Sequence, residues 1–334
     1  MQAQHTTQPV ISSRTCDLPT DAMLGPLSCP CCGAVHCVPV GRKRGFGLNH
    51  CPACALVFVH PRPSPDQLKA IYAQSAGYFA TVSVDLEESS NRRALWLDGL
   101  LCEQAVPKGR FLDVGCAAGA VPYHLRKLGW DTCGIEINKG AARVALAHGL
   151  DVRTEELAEC SFPAGSFQVV HMGDVIEHLR SPEDTLAEIR RILCPGGMLV
   201  LSTPNSEAGF ALLTLKASRL LGFPWPHSEA PYHLYEFSRR SLSCLLQKAG
   251  FDIVSITLQG RTRFSYIVGA TGCFDALKAK MKQRGRYRLH PGFILSLPKL
   301  VCVTFALAPF YALGLMWDKF TDGGSSIVVI ARRS

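Results

Sequence analysis

The chain has 334 residues, of which 47% are hydrophobic, 19% charged and 8% aromatic, a composition that excludes collagen-like, coiled-coil and wholly disordered classes and suits two domains or one large domain with an appendage. The net charge of +8 is concentrated, since Lys278, Lys280, Lys282, Arg284, Arg286 and Arg288 fall in one eleven-residue stretch and the remainder is nearly neutral, which argues against a nucleic-acid-binding surface spread over the whole chain. Fifteen cysteines, most of them single in apolar runs, and a polar opening Met1–Gln8 without the apolar core of a signal peptide lead to the expectation of a cytoplasmic protein with reduced thiols.

Residues 1–27 mix Gln, Thr, Ser, Pro and Asp without an apolar period and read as a mobile tail. Across 28–60 stand two cysteine pairs, Cys29-Pro-Cys-Cys32-Gly and Cys51-Pro-Ala-Cys54, eighteen residues apart. Two thiolates from each tight turn complete a tetrahedron with no open position, so the spacing predicts a zinc ribbon in which Cys29, Cys32, Cys51 and Cys54 hold a structural Zn²⁺. Cys31 and Cys37 are spares, and Cys31 is an alternative ligand. His60-Pro-Arg-Pro-Ser-Pro65 is a stiff connector, and it opens a stretch of linker and helices over 61–107, with a break expected near Gly77–Tyr78.

From 108 to 260 strand and helix patterns alternate. Strands are expected at Arg110–Val114, Thr132–Ile137, Phe167–Met172 and Met198–Ser202, with helices at Val121–Leu128, Gly140–His148 and Pro182–Leu193. Such alternation implies an α/β fold, a parallel sheet with helices on both faces. The first strand ends in Asp113-Val-Gly-Cys-Ala-Ala-Gly119, where glycines permit a tight strand-to-helix turn and close approach of a ligand to the backbone. Glu136 follows 17 residues after Gly119, where an acid can hold both ribose hydroxyls of an adenosine. A dinucleotide wants Gly-x-Gly-x-x-Gly, and Ala117 stands at its second glycine. The loop therefore favours an adenosine ligand without a pyrophosphate.

Together these motifs make the chain resemble the class I S-adenosylmethionine-dependent methyltransferases. Asp113–Gly119 is similar to their first motif and Glu136 to their ribose-binding acid. Phe162–Val170, Asp174-Val-Ile-Glu-His-Leu179, Arg191–Gly197 and Leu201-Ser-Thr-Pro-Asn205 follow in the family's order. The resemblance is sharpest for the branch of ubiquinone-pathway O-methyltransferases and extends more loosely through His233–Ser238 and Leu245–Phe251. One departure is Gln168, where the family usually has Asp at the start of a strand; its role there is mainly structural. The resemblance implies a Rossmann-like core over 108–260 with a lid at about 206–238. It also implies S-adenosyl-L-methionine held by Asp113, Gly115, Cys116, Ala117 and Gly119 at the methionine end, by Glu136 and Ile137 at the ribose and adenine, and by Gly173 and Asp174 near the sulfonium. Glu155 and Glu156 are candidates for the adenine amino group.

A hydroxyl acceptor must lose its proton, to a histidine or with help from a metal. Asp174-x-x-Glu177-His178 follows the fourth strand, where an α/β sheet opens its crevice, and the related enzymes link a similar cluster to a divalent metal. Mg²⁺ or Mn²⁺ is the ion so implied, although imidazole is softer than magnesium prefers. Glu177 and His178 as a cap and tether of the next helix is the other reading. His233 is the second base candidate, or a hydrogen-bonded holder of the lid. His171, inside a strand, reads as structural.

The segment 261–324 is a basic and apolar insert, and 325–334 the last strand. Leu300–Trp317 is long enough to span a bilayer. However, Phe251–Leu258 and Ser325–Ala331 read as antiparallel partners, and a single crossing between them would separate the two. Pro298 and Pro309 are expected to break the segment into a hairpin lying at an interface, and the preceding cations suit an anionic membrane surface. A helical insert packed on the protein core is the alternative. The functional expectation is a methyltransferase acting on oxygen of a small-molecule or lipid-linked acceptor, peripheral at the inner face of a membrane. Its rivals are an RNA base methyltransferase using the ribbon, where Arg42, Lys43, Arg44 and Phe46 form only a small patch, and a non-catalytic cofactor-binding scaffold.

Overall fold

A computed structural model describes residues 27–74, 88–261 and 291–334. The expected tail, the helix break near Gly77–Tyr78 and the cationic stretch Lys278–Arg288 lie outside the described residues. The central sheet has seven strands: β4 (Arg110–Val114), β5 (Asp131–Ile135), β6 (Asp151–Arg153), β7 (Phe167–Gly173), β8 (Leu193–Pro204), β10 (Phe251–Gln259) and β11 (Ser326–Arg333), in the order β10-β11-β8-β7-β4-β5-β6. β4 to β8 pair in parallel, whereas β11 lies antiparallel between β8 and β10. This is the Rossmann-like methyltransferase sheet expected from the sequence. The chain leaves β4 in one direction towards β5 and β6, and returns on its other side through β7 and β8. That reversal opens a crevice at the carboxyl ends of β4 and β7.

Parallel strands covered on both faces must be apolar throughout, and Phe111, Leu112, Val169, Val170, Met172, Leu199 and Leu201 are all fully buried. The helices begin where short polar side chains offer caps. Asn138 accepts from the N–H groups of Gly140 and Ala141 at the start of α4 (Lys139–Ala147). Pro182 opens α5 (Pro182–Ile192), with Glu183 and Asp184 in its first turn and Arg190 and Arg191 in its last. Gln168 ties the start of β7 to β4, its Oε1 accepting from the N–H of Arg110 at 2.6 Å.

A second, four-stranded sheet joins β1 (Val38–Lys43), β2 (Phe46–His50) and β3 (Val57–Val59) to β9 (Tyr235–Glu236), all antiparallel. The short β6 escaped the sequence pattern because Asp-Val-Arg offers one apolar residue to a period of two.

The expected hairpin after Pro291 is corrected. One helix, α8 (Pro291–Phe320), runs through both Pro298 and Pro309. An interior proline costs roughly 3 kcal/mol, and tertiary contact with α6 (Gly209–Leu221) opposes that cost. Gly209 and Gly314 let the two backbones cross so closely that a Cβ on either would overlap the other. Asp318 Oδ1 accepts from the N–H of Gly209 in the first turn of α6 at 2.7 Å, and Phe210 packs on Leu307. Among the described residues no helix is long and apolar enough to cross a membrane.

Candidate active site

The crevice is lined first by the loop after β4. Gly115 adopts φ +75°, and a Cβ there would stand 2.5 Å from Cγ2 of Val175, so glycine is required for both conformation and space. Ala117 also lies in the left-handed region, at φ 50°, and its N–H donates to Glu136 Oε2 at 2.9 Å. The other oxygen of Glu136 accepts from Asn138 N–H at 2.7 Å. One carboxylate thus ties the turn after β5 to the turn after β4. Burial raises the pKa of Glu136, and the backbone donors oppose that rise. Ile137 beside it is 64% exposed, an apolar surface suited to a flat base. Gly119 starts α3 (Ala120–Lys127), and Cys116 is buried against Gly134. Asp113 is buried at the end of β4, where its Oδ1 meets Nδ1 of His171 at 2.6 Å. His171 thus holds the Asp113 carboxylate from inside β7.

At the carboxyl end of β7, Asp174 has φ 54° and accepts from Ser202 Oγ at 3.0 Å. Ser202 accepts in turn from Arg93 Nη2 at 3.0 Å. Arg93 comes from the helix α2 (Glu88–Glu103), and nothing in its sequence surroundings signals that it reaches the crevice. Glu155 and Glu156 are exposed beyond β6.

Glu177 and His178 occupy a 3₁₀ turn, Ile176–His178. Glu177 is fully buried; Oε2 accepts from Thr203 Oγ1 at 2.8 Å, and Oε1, 4.0 Å from Nε2 of His178, has no hydrogen-bond partner among the described residues. Burial raises its pKa to about 7. Nδ1 of His178 is 2.9 Å from the carbonyl of Tyr232. A carbonyl only accepts, so this nitrogen carries the proton and Nε2 keeps its lone pair. Burial, then the neighbouring His233, lower the pKa of His178 to about 4.

His233 meets the edge of the His178 ring at 4.7 Å between centroids. Its Nδ1 is 3.7 Å from Glu236 Oε2 and its Nε2 3.7 Å from Glu229 Oε2, ion-pair rather than hydrogen-bond distances. Burial opposes its charge, but Glu236, Glu177 and Glu229 outweigh burial and raise its pKa to about 9. His227 stands 3.8 Å from the same oxygen of Glu236, and burial lowers its pKa. The structure therefore groups Glu177 and His178 with His233, from far along the chain, while Asp174 turns away to Ser202.

Ligand atoms of Glu177, His178 and His233 lie within 4.8 Å of one another. Two imidazoles and one carboxylate suit a softer divalent ion better than Mg²⁺, which prefers oxygen ligands. The cysteine cluster is different in kind. Cys29 and Cys54 thiols are 3.6 Å apart, Cys32 and Cys51 thiols 3.5 Å, and all four lie within 4.8 Å. A tetrahedron with bonds of about 2.3 Å has sulfur–sulfur edges of roughly 3.8 Å, so the four thiols fit Zn²⁺. Cys31 is buried outside the cluster, and Cys37 donates to the carbonyl of Ala34 at 3.8 Å.

Residues 89–256 match the family model described as Methyltransferase domain. The ubiquinone biosynthesis O-methyltransferase of Paracidovorax citrulli is 30% identical over 205 residues, 55% of this chain and 84% of that protein. The ubiquinone biosynthesis O-methyltransferase of Nitrosococcus oceani is 31% identical over 161 residues, 44% of this chain and 65% of that protein, so here the chain spans just under two thirds of its relative. The solved [4+2]-cyclase SpnF superposes with a TM-score of 0.49 at 20% identity, covering 82% of this chain and 98% of that one. Both the cysteine cluster and α8 lie outside the matched residues.

Proposed function

The chain belongs to the methyltransferase-domain family, in the ubiquinone biosynthesis O-methyltransferase branch of the class I S-adenosylmethionine-dependent methyltransferases, and from that membership we propose that it methylates a hydroxyl oxygen of a small or lipid-linked acceptor, such as a sugar, a phenol or a quinone precursor. The observation that carries this reading is the buried Glu177–His178–His233 cluster beside the cofactor crevice, with the lone pair of His178 Nε2 unprotonated at neutral pH.

When bound, S-adenosylmethionine would supply a sulfonium methyl group, which an oxygen nucleophile takes in line as the C–S bond breaks and S-adenosylhomocysteine departs. In this assignment Asp113 and the backbone of Gly115, Cys116, Ala117 and Gly119 hold the methionine end, Glu136 and Ile137 the ribose and adenine, and Gly173 and Asp174 the sulfonium end. The acids in this row favour the positive sulfur. His178 Nε2 takes the acceptor's proton. His233, protonated at neutral pH, holds the acids Glu177, Glu229 and Glu236 around it and offers a cation to the developing oxyanion. Most of the rate enhancement then comes from alignment and exclusion of water. Mg²⁺ has no part in this scheme. Cys29, Cys32, Cys51 and Cys54 would hold a structural Zn²⁺.

A lipid-linked acceptor is supported by the outer face of α8, where Leu313, Met316, Trp317 and Phe320 are exposed at helical spacing and Phe305 lies a few turns earlier on the same helix. Such a stripe, next in sequence to six cations, suits an anionic membrane surface.

Calorimetric titration with S-adenosylmethionine tests the core of the reading. Micromolar binding by the wild type that is lost in Glu136→Ala is expected, followed by formation of S-adenosylhomocysteine with a member of a panel of phenols, sugars and quinone precursors. No binding by the folded wild-type protein would overturn it.

A further inference from the structure

The four-stranded sheet draws on two distant parts of the chain. β1, β2 and β3 belong to the cysteine-bearing segment, and β9 belongs to the loop that carries His227 and His233. β9 takes no part in the seven-stranded sheet. Its pairing is with β3, Val57 opposite Glu236 and Phe58 opposite Tyr235. Leu234 is bound on both sides: its carbonyl accepts from Val59 N–H at 2.9 Å, and its N–H donates to the carbonyl of Glu177 at 2.8 Å. The residue next to His233 therefore bridges the cysteine-bearing sheet and the 3₁₀ turn of Glu177 and His178.

Side chains fix both ends of this loop to the same sheet. Lys43, at the end of β1, donates from Nζ to the carbonyls of Trp225 at 3.0 Å and Pro226 at 3.1 Å. Arg44 lies over the ring of Tyr232, 5.2 Å from its centroid. At the far end Ser238 Oγ donates to the carbonyl of Cys54 at 2.6 Å. Two of the cations that the sequence could offer to an RNA are thus turned onto the loop. A two-residue strand has almost no stability of its own, so its position depends on β3. The geometry of β3 is set by the Cys51–Cys54 turn immediately before it.

We propose that the ribbon is the positioning element of the acceptor site: the metal-bound Cys51–Cys54 turn fixes β3, β3 fixes β9, and Lys43 and Ser238 hold the loop so that Glu236 and His233 face Glu177 and His178. The inference rests on the methyltransferase reading for the word acceptor, and on the fit of the four thiols to Zn²⁺. Metal binding to such a cluster is folding free energy. Here that free energy orders a wall of the active site as well as the ribbon. The cofactor crevice, built on β4, β5 and β7, does not depend on it. Lys43 and Ser238 are positioning residues and touch no reacting atom.

The test uses the full chain, zinc-loaded or stripped with a zinc chelator under reducing conditions, with two readouts. Hydrogen exchange followed by mass spectrometry is expected to show residues 225–238 exchanging at least about tenfold faster without zinc, with β4, β5 and β7 unchanged. The affinity for S-adenosylmethionine is expected to stay within about twofold. Lys43→Met, with zinc in place, should loosen 225–238 in the same way, and Lys43→Arg, which keeps a donor for both carbonyls, should restore it. Unchanged exchange at 225–238 after zinc removal would overturn the proposal. So would parallel loss of cofactor affinity, which would make the ribbon a support of the whole fold, and so would purified, reduced protein that holds no zinc. Failure of the zinc-loaded protein to bind S-adenosylmethionine would instead count against the methyltransferase reading, and the exchange measurement would still decide whether the ribbon positions the loop.

Discussion

His233 is held between two opposing effects, burial that disfavours the imidazolium and three carboxylates that favour it more. Its folded pKa of about 9 lies above the ordinary 6.5, so its contribution to stability is full below 6.5 and is lost as pH rises through about 9. Stability should therefore fall by on the order of 2–3 kcal/mol between pH 6.5 and 9.5, read as a lower unfolding temperature, and the slope should flatten in His233→Gln. His178 acts in the opposite window. With a folded pKa of about 4, it costs stability as pH falls from 6.5 towards 4, because the unfolded chain takes the proton first. His178→Ala is expected to lower methyl transfer roughly 10²- to 10⁴-fold with cofactor affinity retained, measured as S-adenosylhomocysteine formed against calorimetric binding. The turn conformation that requires Gly115 was legible in the sequence, because it follows from a local strand-to-helix connection. The meeting of His178 with His233, and the reach of Arg93 to Ser202, were not, since each depends on segments distant in sequence.

α6 and α8 show how an element can defeat its own local rules. Two prolines argue for breaks in Pro291–Phe320, yet the helix is continuous because Gly209 and Gly314 allow a crossing that few other residues would fit. A Cβ at Gly314 would stand 2.5 Å from the backbone nitrogen of Phe210. Gly314→Val should accordingly destabilise the fold by about 1–3 kcal/mol, read as a lower melting temperature. Ser238 serves two elements at once, capping α7 (Arg239–Lys248) through Ser241 and donating to Cys54. Strand and helix positions in the core were readable to within a few residues because a buried parallel strand is an uninterrupted apolar run. β9 was not, because two residues carry no period.

On the scale of the whole molecule, the exposed stripe of α8 and the charge asymmetry of the chain make a joint prediction. Co-sedimentation with phosphatidylglycerol vesicles should exceed that with phosphatidylcholine vesicles, weaken as salt rises, and fall in Phe320→Asp, whose side chain is 80% exposed. Equal binding to both vesicle types, or none, would remove the membrane from the functional reading. What the sequence by itself determined was the alternation of strand and helix, the glycine-bearing turn after β4 with the acid that follows β5, and the four-thiol spacing, because each is written in neighbouring residues whose geometry is set by backbone sterics and short turns. Only the tertiary structure decided that the apolar segment is one helix, that Asp174 leaves the acid–histidine cluster while His233 joins it, and that the sheet of the cysteine-bearing segment is completed by the loop bearing that histidine. Those outcomes rest on packing and hydrogen bonds between residues up to about 180 positions apart, such as Lys43 with Trp225, and no local pattern encodes them.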